Sequence, residues 1–159
     1  MHREWMRAVV EKRRDLTPDK LEPTRRAMDR AVSDCLVTGY EPISGLTLPD
    51  RDDQHVLAAA ITARASVIVT FDVGDFPADA LQLHGIHATH PDDFILDVES
   101  LDSPAVIKAA RDDLRHYANP PLTVDAYLND LRRAGVPKTA DHLGRFKILL
   151  EGDQADSNP

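Results

Sequence analysis

The stretch DRDDQHVLAAAITARASVIVTFDVGDFP, residues 50–77, decides the fold. It opens on Asp50, Asp52 and Asp53, passes through a small apolar run and then a β-branched run, and leaves the second into Asp72 and Asp75. Residues 53–65 have the apolar spacing of a helix, with Asp52 or Asp53 as its cap and a Leu-Ala-Ala-Ala-Ile core small enough for close packing. SVIVTF, residues 66–71, lacks polar alternation, the pattern of a strand buried on both faces of a parallel sheet. Ligands of open parallel sheets bind beyond the carboxyl ends of the strands. Asp72 and Asp75 stand at that edge directly. CLVTGY, residues 35–40, reads as a preceding strand ended near Gly39, so the loop carrying Asp50, Asp52 and Asp53 belongs to the same edge.

Carboxylates brought to one rim repel each other, and a cation relieves the repulsion. Hard divalent ions take oxygen ligands, and Mg²⁺ in particular combines one or two carboxylates with water and substrate phosphate. The stretch therefore points to metal-assisted chemistry at a phosphodiester. The plain alternative makes Asp52 or Asp53 a helix cap and Asp72 and Asp75 turn formers around Gly74. Each aspartate taken singly fits that alternative; their joint position at one sheet rim favours a site.

Working outward, REWMRAVVEKRRD near the start is helical, with Trp5, Ala8 and Val9 on an apolar face and no capping residue before its first turn. Thr17 and Pro18 open a second helix that Pro23 is expected to break or restart. After the central stretch come a short helix in ADALQLHG, a strand in IHATH and a helix in PDDFILDVE. Alternating helices and strands make this half α/β with a mainly parallel sheet. Three further segments, SPAVIKAARDDLRHYA, TVDAYLNDLRRAG and PKTADHLGRFKILLEG, form a helical extension. The expected organisation is a domain over residues 1–102, an extension over 103–150 and a disordered tail over 151–159.

Bulk properties narrow the function. The 159 residues suffice for one domain with a real core, and 42% hydrophobic with 29% charged residues is the balance of a soluble globular protein. No apolar run approaches the roughly 20 residues of a membrane span, and no signal-peptide pattern opens the chain, so a cytoplasmic location is expected. The single cysteine, Cys35, excludes an internal disulfide and a cysteine-based zinc site; it reads as a small buried residue. The net charge of −8 argues against broad electrostatic capture of nucleic acid. The charge is uneven, however. Residues 1–30 hold nine Lys/Arg against six acids, whereas residues 50–102 hold eleven acids against Arg51 and Arg64. An acidic site that takes up a cation beside a basic arm can receive a phosphodiester. His84, His87 and His90 straddle a strand whose successive side chains face opposite ways, which disfavours a zinc site. His55, beside the acidic cluster, either orients a substrate or packs on the first helical turn. There is no Walker A loop and no nucleophile elbow.

The segment LPDRDDQHVLAAAITARASVIVTFDVGDFP resembles the second half of a PIN domain, the fold of the VapC-type toxin ribonucleases; the resemblance is strongest from Leu36 to about Phe94. LVTGYE, GIHATHPDDFI and the extension around NPPLTVDAYLNDLRRAGVP resemble one subgroup of that family. The resemblance implies a three-layer PIN-like fold and a Mg²⁺- or Mn²⁺-dependent endoribonuclease acting as the toxin of a toxin–antitoxin pair. It implies Asp53, Asp72 and Asp75 as metal ligands, Glu4 (in HREW) as the further catalytic acid, and Thr70 and Asp52 at the substrate. An RNA substrate, a cognate antitoxin covering the site and a homodimer follow from the same resemblance. The family's first acid lies on a strand before the Glu-bearing helix, and here the Glu position is residue 4. The expectation is therefore a chain that lacks that first strand and its Asp. The rival expectation is a catalytically impaired remnant that acts only as a binding module.

Overall fold

The computed structural model describes residues 2–32, 35–40, 43 and 45–152. The chain divides into two compact units, Met1–Val67 with Asp75–His87, and Ile68–Gly74 with Ala88–Pro159. The tail expected to be disordered lies, from residue 153 on, outside the described residues.

In the first unit, α1 (His2–Lys12) and α2 (Pro18–Ala31) are tied by polar contacts rather than by a deep core. Trp5 Nε1 donates to His2 Nδ1 at 3.0 Å, which leaves the proton on His2 Nε2 to face Asp29 Oδ1 at 2.7 Å. Arg25 reaches the same Asp29 at 2.6 Å. Pro23 does not break α2, contrary to the expectation from its sequence. A proline removes one backbone hydrogen bond, but Glu22 pairs with both Arg25 and Arg26 and staples the turn that follows.

Residues 35–40 form no strand, a second correction. A β-branched run becomes a strand only against a partner whose donors and acceptors it can satisfy, and among the described residues the sheet consists of two other strands. Leu36 is accordingly exposed, and so is Cys35, which was expected to be buried.

The central stretch enters a short 3₁₀ turn, Arg51–Asp53, that continues into α3 (Gln54–Thr62). Leu57, Ala58 and Ala59 are buried on α3, as their small apolar run requires. The cap is Asp50, whose carboxylate accepts from the Asp52 amide at 2.8 Å; Asp53 occupies the position before α3, but its side chain does not cap it.

Strand β1 (Val67–Val69) pairs with β2 (His87–Thr89). The His87 amide donates to Ser66 O at 3.1 Å and the Thr70 amide to Thr89 O at 3.0 Å, so the indices rise together and the strands are parallel. Ile68 is buried while Val69 is 42% exposed. SVIVTF is therefore not covered on both faces: Val67 is half-buried, Ile68 buried and Val69 exposed. Between the strands lie a 3₁₀ turn over Val73–Asp75, α4 (Ala78–Leu81) and a second 3₁₀ turn, Gln82–His84, which ends through Gly85 in a left-handed conformation. Phe76, Leu81 and Ile86 are buried in the first unit.

The second unit is mostly helical: α5 (Pro91–Leu101), α6 (Ser103–His116), α7 (Val124–Arg133), α8 (Pro137–Leu143) and α9 (Lys147–Glu151). The segment expected to be one helix from Pro137 onward is two, separated by a 3₁₀ turn at Gly144–Phe146. Its core is Ile107, Ala110 and Leu114 from α6, Val124, Tyr127 and Leu128 from α7, Leu143 from α8 and Leu150 from α9. Thr123 caps α7 through the Ala126 amide at 3.2 Å, and Asp102, rather than Ser103, caps α6 through the Ala105 amide at 3.0 Å.

The first turn of α8 is capped from another helix. Asp92 of α5 is 2% exposed and accepts from the Lys138 amide at 2.8 Å, the Thr139 amide at 2.7 Å and the Thr139 hydroxyl at 2.7 Å. Burial alone would push this carboxyl up; the Thr139 and Lys138 hydrogen bonds outweigh it and hold Asp92 below the usual carboxylate range. On the rim of the same contact, Lys138 Nζ meets Asp93 at 2.5 Å. Among the described residues no helix is long and apolar enough to cross a membrane.

Candidate active site

Within the first unit, the acids of the central stretch meet the N-terminal helix. Glu4 lies in the first turn of α1 and His55 in the first turn of α3. His55 Nε2 is 3.2 Å from Glu4 Oε1 and 3.3 Å from Oε2, and its Nδ1 is 2.5 Å from the backbone oxygen of Asp52. A carbonyl oxygen can only accept, so Nδ1 carries a proton and the ring orientation is fixed. Partial burial pushes the Glu4 carboxyl up, but neighbouring positive groups, His55 among them, outweigh it and hold Glu4 below its ordinary value. Two residues 51 positions apart are thus joined at the turn that presents Asp52 and Asp53.

A cavity of about 330 Å³ adjoins this turn, lined by Tyr40, Ile43, Arg51, Asp52, Gln54, His55 and Ala58. Gln54 Nε2 donates to Leu46 O at 2.9 Å and ties the preceding loop to the start of α3. Asp52 is exposed on the cavity wall, and Asp53 is half-buried beside it. Asp75 ends the 3₁₀ turn after β1 and belongs to the same unit, its neighbour Phe76 being buried at 5% exposure.

Thr70 and Asp72 belong to the second unit. The Thr70 hydroxyl accepts from the Asp72 amide at 3.1 Å, a local turn that sets the Asp72 backbone at the end of β1 and leaves its carboxylate exposed. The Thr70 backbone is itself fixed by Thr89. Within neither unit, among the described residues, do three or more His, Cys, Asp or Glu side chains gather as a metal cage. Glu4, His55 and the Asp52 backbone are brought together directly; Thr70 and Asp72 are brought together by a turn.

The sequence left open whether His55 packs or orients a substrate, and the structure gives it a hydrogen-bonded role. Its spacing of three from Asp52 is the one local signal for that bond. The contact with Glu4 has no sequence signal at all. His90, which fell in the disfavoured zinc triplet, caps α5 by accepting from the Asp92 amide at 3.2 Å.

Comparison with known families accounts for both halves of the chain. Residues 6–74 match the family model of the PIN domain, and residues 91–145 match that of the VapC50 C-terminal domain. A protein of Mycobacterium tuberculosis named "Putative ribonuclease VapC50" is 40% identical over 93 residues, which cover 58% of this chain. The chain spans 55% of the length of that relative. No solved structure matches the chain. The PIN-domain match begins in α1 after Glu4, runs through both acid-bearing loops with Asp53 and Asp72, and ends just before Asp75, and the second match begins at the first residue of α5. The chain thus carries, one after the other, a stretch that matches the PIN domain and a stretch that matches the VapC50 C-terminal domain.

Proposed function

We propose that the chain is a divalent-metal-dependent endoribonuclease, the toxin half of a toxin–antitoxin pair. The observation that carries the proposal is one PIN-domain match spanning both acid-bearing loops, with Asp53 at the entry to α3 and Asp72 at the exit from β1. VapC-type PIN nucleases depend on divalent metal as a class. The donor set here fits such an ion, because Asp53, Asp72 and Asp75 offer only hard carboxylate oxygens. In this reading those three residues hold Mg²⁺ or Mn²⁺. The ion, when bound, supplies Lewis-acid stabilisation of the phosphate and acidifies water.

The protein's own residues supply the rest. His55 holds Glu4 at the Arg51–Asp53 turn and, with a second positive group, keeps its carboxylate ionised, where it can take a proton from the attacking water. Thr70 fixes the Asp72 backbone so that its carboxylate needs little reorganisation. Asp52, on the cavity wall, borders the RNA. The domain over residues 1–102 carries this chemistry and residues 103–150 extend it. RNA is the substrate, a cognate antitoxin the inhibitor, and a homodimer in the cytoplasm the working state.

The test is cleavage of an RNA substrate by the purified chain in Mg²⁺ or Mn²⁺. Cleavage that chelator stops, and that falls at least about 100-fold in Asp53→Asn and in Asp72→Asn, is expected. Cleavage undiminished in the double variant overturns the assignment. RNA binding without cleavage favours the binding-module reading instead.

A further inference from the structure

Asp72 is preceded by an aromatic residue that the fold holds at its edge and leaves open. Phe71 is 55% exposed. Its ring meets the His90 ring edge-to-face, with centroids 5.1 Å apart and planes at 84°. Its Cε1 stands 3.0 Å from where a Cβ would project at Gly135, whose φ of +93° also suits glycine alone. His90 is itself anchored, because its Nδ1 accepts from the Asp92 amide. Phe71, His90 and Gly135 all belong to the second unit, as does Asp72. The clamp is tight on one side, yet more than half of the side chain faces solvent.

Exposure alone does not set Phe71 apart, since Leu83, Leu101 and Ile148 are more exposed; what does is an aromatic ring fixed by His90 and Gly135 directly before Asp72. Single-stranded nucleic acid is recognised by stacking unpaired bases on such rings, and a ring already fixed in place loses little freedom on binding. Arg132 and Arg133 end α7, three and two residues before Gly135; Arg132 is paired with Asp141 and Arg133 with Asp130, and Arg133 remains 79% exposed.

We propose that Phe71 is a stacking platform for an unpaired nucleobase of single-stranded RNA, seated next to the Asp72 end of the active site. This rests on the nuclease reading and adds to it a subsite: the base stacks on Phe71 while its phosphodiester lies toward Asp72. Gly135 is the position whose missing side chain makes room for the ring.

The test is binding of a short RNA carrying 2-aminopurine, in chelator so that no cleavage occurs, followed by anisotropy and by quenching of the 2-aminopurine. Phe71→Ala is expected to weaken binding roughly 5- to 150-fold and to abolish the quenching, Phe71→Trp to retain both, and Phe71→Leu to lose the quenching although it keeps apolar bulk. Helical circular dichroism and the thermal midpoint establish that each variant folds, and Phe71→Leu carries the test should Phe71→Ala fail to. Equal affinity in the parent and a folded Phe71→Ala or Phe71→Leu overturns the stacking role. So does a loss of cleavage rate with unchanged affinity, which would make Phe71 a positioning residue for Asp72. A parent chain that binds no RNA overturns the nuclease reading itself, and with it the subsite.

Discussion

Replacing Asp92 by alanine removes the acceptor that α5 lends to α8. Two backbone amides, Lys138 and Thr139, and the Thr139 hydroxyl lose their partner together. Thr139 is 4% exposed, so water does not replace the carboxylate without opening the contact. A capping side chain contributes about 1 kcal/mol, up to about 2, and each buried donor left unsatisfied costs about 1–3 kcal/mol. The three donors are not independent, and the loss comes to about 3–5 kcal/mol. For a chain of this size that lowers the thermal midpoint by about 10 °C. Asparagine keeps one acceptor oxygen but not the charge, and is expected to cost about half as much. Urea unfolding followed by circular dichroism at 222 nm measures the helices directly, while the single tryptophan, Trp5, reports on α1. A shift of the urea midpoint with unchanged slope is the expected signature. An Asp92→Ala variant within about 1 kcal/mol of the parent would refute the reasoning, because it would mean that α8 needs no acceptor there.

The same carboxylate predicts an acid response. Its folded pKa is depressed, so its contribution is full above the unfolded value of about 3.9 and is lost as pH falls through the folded value. The parent should therefore lose stability below about pH 4 more steeply than Asp92→Asn, as measured by urea midpoints across that range. His55→Ala should lower RNA cleavage about 10- to 100-fold with little change in thermal midpoint, because it removes the contact that joins Glu4 to the start of α3 without opening the core, and His55→Gln should recover part of it. Gly135→Ala should cost about 1–2 kcal/mol, from a left-handed backbone and from the 3.0 Å approach to Phe71, read as a lowered thermal midpoint. Leu128→Ala should cost about 2–5 kcal/mol, since Leu128 is 2% exposed in the centre of the helical core.

Local signals made much of this fold legible. The helices from Pro91 onward carry their own starts, through proline at the first turn or a capping Thr123, and their apolar spacing needs no distant partner to be recognised. The two parallel strands were legible from β-branched content and from the turn residues around them. The expected strand over residues 35–40 was not borne out, because a strand is a property of a pair. The exposure of Val69 has the same origin, since the number of covered faces depends on what the sheet packs against. At the site, the aspartates announce themselves by clustering. The long-range pairs do not: Glu4 to His55 at the site spans 51 positions, and Asp92 to Thr139 at the start of α8, away from the aspartates, spans 47, and no periodicity links either pair.

The cap on α8 also sets where the C-terminal part can be cut. A fragment that starts at Ser103 would keep α6 to α9 and their apolar core, but would leave the Lys138 and Thr139 amides facing an empty socket. A fragment that starts at His90 or Pro91 brings its own plug, Asp92, with the helix that carries it. The match to the VapC50 C-terminal domain begins at residue 91. The unit of inheritance is thus the helical bundle together with the one helix that closes it. Any transplant of this module onto another protein must move α5 along with the rest.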